Sequence, residues 1–198
     1  MTPDGPGRSL GGVSITVDDI VERCRTAVGE HTPQLAIRDV VAEIVHAPGA
    51  LAAAIGPITE GGIRPLHRSP ELTVLHIAWT PGMQLNPHDH GMFAVVGMYG
   101  GQEDNSYYRR APRGLEATGG RSLVAGDVLV LGQDAIHAVA NPKREYAVAI
   151  HVYGGDFFDA QRSEWDDETS EERPRDIEGT MRRFAAANAA WAAEQGRS

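Results

Sequence analysis

Two histidines separated by one residue, His88 and His90 in the stretch NPHDHG, are the side chains of this sequence whose spacing suits metal chemistry. On an extended chain successive side chains alternate sides, so His88 and His90 share a face of a strand and Asp89 turns the other way. Two neutral imidazoles at that spacing reach one divalent ion. Two half-exposed histidines beside a turn have the same spacing, and the pair alone does not choose between these readings. A second block, GDVLVLGQDAIHAVANP, adds Gly126, Asp127, His137 and Asn141. With Gly82 ahead of the histidine pair, the two blocks read as a two-part metal motif. Cys24 is the only cysteine, which excludes internal disulfides and thiolate-rich clusters, so a bound ion takes nitrogen and oxygen donors.

The elements that must carry these residues change in texture along the chain. From Val17 to about Ile55 apolar residues recur at helical spacing, as in Ile20, Cys24, Ala27 and Val28, then Leu35, Val40, Val41, Ile44 and Val45, with breaks at EHTPQ and HAPGA. From Leu72 to Phe158 short β-branched runs such as LTVLHIAW, FAVVGMY and AVAIHVYGG alternate with Gly, Pro, Asn and Asp, the pattern of an all-β sandwich or barrel. The acidic stretch EWDDETSEERPRD reads as a solvated surface connector. After it, Ile177, Met181, Phe184, Asn188 and Trp191 form the stripe of a closing amphipathic helix.

At 198 residues and 41% hydrophobic content, one domain with a proper core is expected. A net charge of −9 disfavours a phosphate-binding face, so no nucleic acid partner is expected. MTPDGPGRSLGG lacks the apolar centre of a secretory signal, and no segment approaches the roughly 20 apolar residues of a membrane helix. The expectation is a soluble cytoplasmic protein with no membrane partner, monomeric or homodimeric.

PGMQLNPHDHG followed by GDVLVLGQDAIHAVANP resembles the paired motifs of the cupin superfamily. That resemblance implies a mainly β fold, a cupin double-stranded β-helix (jelly-roll) barrel with an N-terminal helical preface and a C-terminal helix. Residues 1–60 would be the helical extension packed on the barrel, 61–160 the barrel with its metal site, and 161–198 the acidic connector and C-terminal helix, one structural domain overall. Most metal cupins carry a Glu shortly after the HxH pair, where this chain has Met92, Phe93, Ala94, Val95 and Val96; Glu103 and Asp104 fall beyond that slot. The implied ligand set is His88, His90 and His137.

Three-histidine cupins resemble the thiol dioxygenases, of which cysteine dioxygenase is the best known. Trp79, Gly82 and HDHG are arranged as in that family, and AIHVYGGDFF resembles its late strand, with His151 and Tyr153 matching a supporting histidine and the active-site tyrosine. Ala149 stands where the family has Ser, and Cys24 does not match the cysteine that crosslinks to the tyrosine in the animal enzymes. The likeness spans roughly residues 64–158.

What the resemblance implies is non-haem Fe(II) that, with O2, oxidises a small thiol of the cysteine or 3-mercaptopropionate type to a sulfinic acid. Neutral ligands suit this, because the ion keeps its full charge for an incoming thiolate. Tyr153 would donate a hydrogen bond to substrate or oxygen, with His151 holding its ring. Arg64, ahead of Arg68, would hold a substrate carboxylate, and Tyr107 would line the pocket as the inward member of the Tyr107–Tyr108 alternation. Two other functions are open: a three-histidine dioxygenase that cleaves a carbon–carbon bond, and a non-catalytic metal- or ligand-binding cupin. His76, on an apolar strand, reads as either a satisfied core histidine or a pocket wall. His31, His46 and His67 read as surface residues, and Met83, Met92 and Met98 as packing.

Overall fold

The structure, a computed structural model, describes residues 15–112 and 114–197. The stretch MTPDGPGRSLGG lies outside the described residues. Three helices come first. In α1 (Val17–Val28) Thr16 and Asp19 form a reciprocal capping box: the Thr16 hydroxyl accepts from the Asp19 N–H, and the Asp19 carboxylate accepts from the Thr16 N–H. α2 (Pro33–Val45) and α3 (Pro48–Ile55) each start on a proline, whose missing N–H is no loss in a first turn. The two breaks fall at the interruptions expected from the sequence.

The chain then forms β1 (Gly62–Arg68), β2 (Thr73–Trp79), β3 (Gln84–His88), β4 (Ala94–Gly100), β5 (Gln102–Ala111), β6 (Gly114–Val124), β7 (Val128–Leu131), β8 (Ile136–Ala140), β9 (Ala147–Tyr153), β10 (Ser163–Trp165) and β11 (Glu172–Pro174), and ends in α4 (Ile177–Gln195). The strands make two antiparallel sheets, ordered β1-β2-β9-β4-β7 and β11-β10-β3-β8-β5-β6. This is the double-stranded β-helix expected from the sequence. β2 and β9 are buried along their whole length because both faces of their sheet are covered. Leu75, Ile77, Trp79, Ala94, Val96, Ala149 and Tyr153 face the barrel interior. Val74, Ala78, Val95, Ile150 and Val152 face the helices, meeting Ile20, Cys24, Ile37, Val41, Ile44 and Leu51.

His76 lies on that helix-facing side, its Nε2 2.7 Å from the Tyr99 hydroxyl. Burial, with the charge of Arg64 second, pushes its pKa down to about 4. It is a satisfied core residue, not a wall of the metal site.

α4 starts at Asp176, whose carboxylate accepts from the Gly179 N–H at 2.7 Å. Phe184 is buried and stacks on Trp79, with ring centroids 5.3 Å apart and planes 16° from parallel. Asn188 exchanges two 2.9 Å hydrogen bonds with the Gly61 backbone. The helix therefore covers the barrel end at Trp79. The expected stripe is narrower than read: Met181 is 44% exposed, because the contact surface runs through Phe184 and Asn188. The acidic stretch also differs from the expected loop. It supplies β10 and β11, and β10 joins the sheet at β3 through Glu164 opposite His88. Glu164 and Trp165 are buried, which an acidic composition conceals. Among the described residues no helix is long and apolar enough to cross a membrane.

Candidate metal centre

β3 and β8 pair so that His88 and His137 stand directly opposite each other, and Tyr107 on β5 stands opposite His137 on its other side. The β3–β8 register shifts between Leu85 and His88, where Pro87 has no N–H for the ladder. β3 ends at His88, so His90 lies in the turn beyond it and not on the same strand as the sequence implied. Gly91 makes that turn with φ 65°, and a side chain there would also press on the Gln161 carbonyl at 3.3 Å. Asp89 turns away from the histidines and pins β10: it accepts from the Ser163 N–H at 2.8 Å, and its own N–H donates to the Ser163 carbonyl at 3.1 Å.

The three imidazoles converge. Ring centroids lie 4.7 Å apart for His88–His137, 5.0 Å for His90–His137 and 5.2 Å for His88–His90. One nitrogen of each lies within 4.8 Å of the others, and all three residues are buried. Nitrogens about 2.1 Å from a shared ion sit about 3.0–3.4 Å apart at right-angled to tetrahedral geometry. His90 Nε2 and His137 Nε2 are 3.4 Å apart, so the donor set fits a first-row divalent ion.

Hydrogen bonds behind two of the rings aim their nitrogens, while His90 Nδ1 is buried without a partner. His88 Nδ1 donates to the Asn86 carbonyl at 2.9 Å, and His137 Nδ1 donates to Asn105 Oδ1 at 2.7 Å, which leaves both Nε2 atoms as lone-pair donors. Burial, ahead of the charge of Arg175, holds His88 well below its ordinary pKa and His137 at about 3. Burial and its histidine and arginine neighbours do the same to His90. Neutral imidazole is the state a metal requires.

Glu103, Asn105 and Tyr107 alternate inward from β5. Asn105 Nδ2 donates to Glu103 Oε1 at 2.9 Å and Trp79 Nε1 to Glu103 Oε2 at 2.6 Å. Burial raises the pKa of Glu103, and these two hydrogen bonds oppose the rise. Glu103 stays behind the histidines, outside the ligand cluster. Its Oε2 lies 3.8 Å from His151 Nε2, and His151 Nδ1 is 3.3 Å from the Tyr153 hydroxyl. The Tyr153 ring sits 5.2 Å from that of His90, and burial raises its pKa, so the hydroxyl stays protonated. The Tyr107 hydroxyl is buried beside His137 with no hydrogen-bond partner.

The two expected carboxylate holders are not brought to the histidines. Arg64 stands opposite His76 on β2, on the helix-facing side of the sheet, and donates to the Ile55 carbonyl at the end of α3 at 2.9 Å. The chain following α3 leaves that carbonyl without a helical donor, and Arg64 supplies one. Arg68 pairs with Asp156 at 2.9 Å and lies 5.1 Å from the Phe158 ring centroid, half exposed.

Two other arginines lie near enough for their charges to act on His90 and Tyr153. Arg162 lies 3.8 Å over Phe157, donates to the Phe157 carbonyl, and has a buried Nη1 without a partner. The Phe157 ring is in turn 4.5 Å from that of Tyr153. Burial lowers the Arg162 pKa to about 10. Arg175 pairs with buried Glu164 at 2.8 Å, and its Nε has no partner. Among the described residues Arg162 makes no ion pair with a carboxylate. Both line a cavity of about 840 Å³, together with Asp89, Gly91, Phe158 and Ile177. Alternation from Tyr107 signals Glu103 and Asn105 in the sequence, whereas Arg162 and Arg175 are brought near the site by the pairing of β10 with β3, for which no local pattern exists.

No protein-family model matches the chain. Among solved structures it is similar to a cupin family protein with a double-stranded β-helix fold from Methanocaldococcus jannaschii, at 11% identity over 50% of this chain and 84% of that one, TM-score 0.43. A cupin superfamily protein from Desulfitobacterium hafniense matches at 16% identity over 54% of this chain and 88% of that one, TM-score 0.43. An oxalate decarboxylase from Lactobacillus farciminis matches at 18% identity over 51% of this chain and 30% of that one, TM-score 0.42.

Proposed function

We propose that the protein is an Fe(II)-dependent dioxygenase converting a small thiol that carries a carboxylate into its sulfinic acid, one thiol and one O2 giving one sulfinic acid with every atom retained. The observation that supports this reading is the donor set: three neutral imidazoles with no carboxylate in the cluster. An Fe(II) ion held by His88, His90 and His137 supplies the redox chemistry between O2 and a thiolate, and neutral ligands leave it the charge that favours an anionic sulfur.

The chain's own residues bind and orient. A buried guanidinium with no anion in hydrogen-bond contact is costly, and Arg162 is such a group: its Nη1 is buried without a partner, and the charges of Asp89 and Asp156 act on it only from a distance. A substrate carboxylate seated on Arg162 supplies that anion by a charge-assisted hydrogen bond, the task the sequence assigned to Arg64 and Arg68. Tyr153 donates its hydroxyl hydrogen toward the reacting atoms, held by His151. Phe157 and Phe158 exclude water from the same side.

The test is anaerobic loading with Fe(II), then oxygen uptake with 3-mercaptopropionate, cysteine, cysteamine and a small β-diketone. Uptake with the two thiol acids and a sulfinate product is expected. Uptake with the diketone alone would establish carbon–carbon cleavage instead, and iron binding without uptake on any of them would make this a binding protein.

A further inference from the structure

We infer that Glu103 is a positioning residue that fixes, through Asn105, which nitrogen of His137 is left bare for the metal. The inference rests on the metal-site reading but not on thiol oxidation. Glu103 is fully buried, and each carboxylate oxygen has its own donor: Asn105 Nδ2 at 2.9 Å on Oε1 and Trp79 Nε1 at 2.6 Å on Oε2. A carboxylate accepts only, so the Asn105 amide must turn its NH2 toward Glu103. Its oxygen is then the atom facing His137 Nδ1 at 2.7 Å, and an oxygen accepts only. The His137 proton is therefore held on Nδ1, and Nε2, on the side of His90, carries the lone pair.

The chain of donors makes a definite forecast for Glu103→Gln. An amide offers one acceptor and one donor to two N–H groups. The Trp79 indole can only donate, and stacking on Phe184 keeps it in place. The new amide oxygen must therefore serve Trp79, leaving its NH2 toward Asn105. Asn105 then turns over, presents its own NH2 to His137 Nδ1, and drives the proton to Nε2, where it competes with the metal. Asn105→Asp on the Glu103→Gln background reverses this, since the carboxylate introduced there accepts from both neighbours.

The experiment is a Co(II) titration of metal-free protein, followed by its visible absorption. Glu103→Gln is expected to bind Co(II) about 10- to 100-fold more weakly, with an altered spectrum, the range typical when a partner behind a metal ligand is lost. Glu103→Gln/Asn105→Asp is expected to recover most of the affinity, which a merely structural role for Glu103 would not produce. Wild-type affinity and spectrum in Glu103→Gln, or no recovery in the double variant, would overturn the inference. If Glu103→Gln does not fold, Asn105→Leu cuts the same link while leaving Glu103 in place: a 10- to 100-fold loss is again expected, and unchanged affinity would overturn it.

Discussion

The Tyr153 hydroxyl lies 3.3 Å from His151 Nδ1, on a strand whose next inward residue is Ala149, and both side chains are buried within the barrel. The contact ties the tyrosine to a neutral histidine, since burial pushes the His151 pKa down to about 3. Tyr153→Phe removes the hydrogen bond and little volume. Metal content should be unchanged while kcat falls roughly 10- to 1,000-fold, the span a positioned hydrogen bond supplies. Metal analysis beside steady-state kinetics checks this, and wild-type turnover would return Tyr153 to the core.

Each of His88→Ala, His90→Ala and His137→Ala is expected to lower bound iron sharply, because the remaining two imidazoles no longer form a complete set. Elemental analysis after anaerobic loading decides it residue by residue. Any variant with wild-type iron content removes that histidine from the ligands.

Arg162→Ala and Arg64→Ala separate the two candidate carboxylate holders. Losing a desolvated charge partner costs about 2–5 kcal/mol, so Arg162→Ala should lower kcat/KM for 3-mercaptopropionate and cysteine by roughly 30-fold or more and affect cysteamine little. Arg64→Ala should leave all three substrates alone and cost about 0.5–1.5 kcal/mol of stability, since the Ile55 carbonyl loses its donor. The reverse pattern would restore Arg64 to the site.

His76 gives stability a pH dependence whose sign is fixed. Its folded pKa of about 4 lies below the ordinary value of 6.5, so between those limits the unfolded chain binds the extra proton and stability falls as pH falls. Above about 6.5 this group contributes no slope. In denaturant titrations from pH 6.5 to 4, His76→Gln should reduce the slope by about one proton, roughly 1.4 kcal/mol per pH unit. An unchanged slope would mean that His76 titrates normally.

The helices and most strands were legible because their signals are local: prolines at the starts of α2 and α3, apolar faces in α1 and α2, β-branched runs in β2, β4 and β9. The three histidines were legible by spacing and resemblance, although Pro87 and Gly91 place His90 past the end of its strand. Sequence order does not reveal a side chain's face of the sheet: Arg64, opposite His76, stands exposed on the helix-facing side with its guanidinium on the Ile55 carbonyl. Arg175 and Glu164 were hidden in an acidic stretch whose average polarity masks a buried ion pair, and Arg162, two residues ahead of it, holds a buried Nη1 without a partner. Their positions follow from Asp89 anchoring Ser163, a contact between distant segments.

The most direct measurement is the fate of oxygen: the Fe(II)-loaded protein is mixed with 3-mercaptopropionate under 18O2, and the product's mass is read. A sulfinate carrying two 18O atoms, formed one for one with O2 consumed, is the expected result. A product with one labelled oxygen or none, a disulfide as the sole product, or no oxygen consumption at all would contradict thiol dioxygenation at the His88–His90–His137 centre.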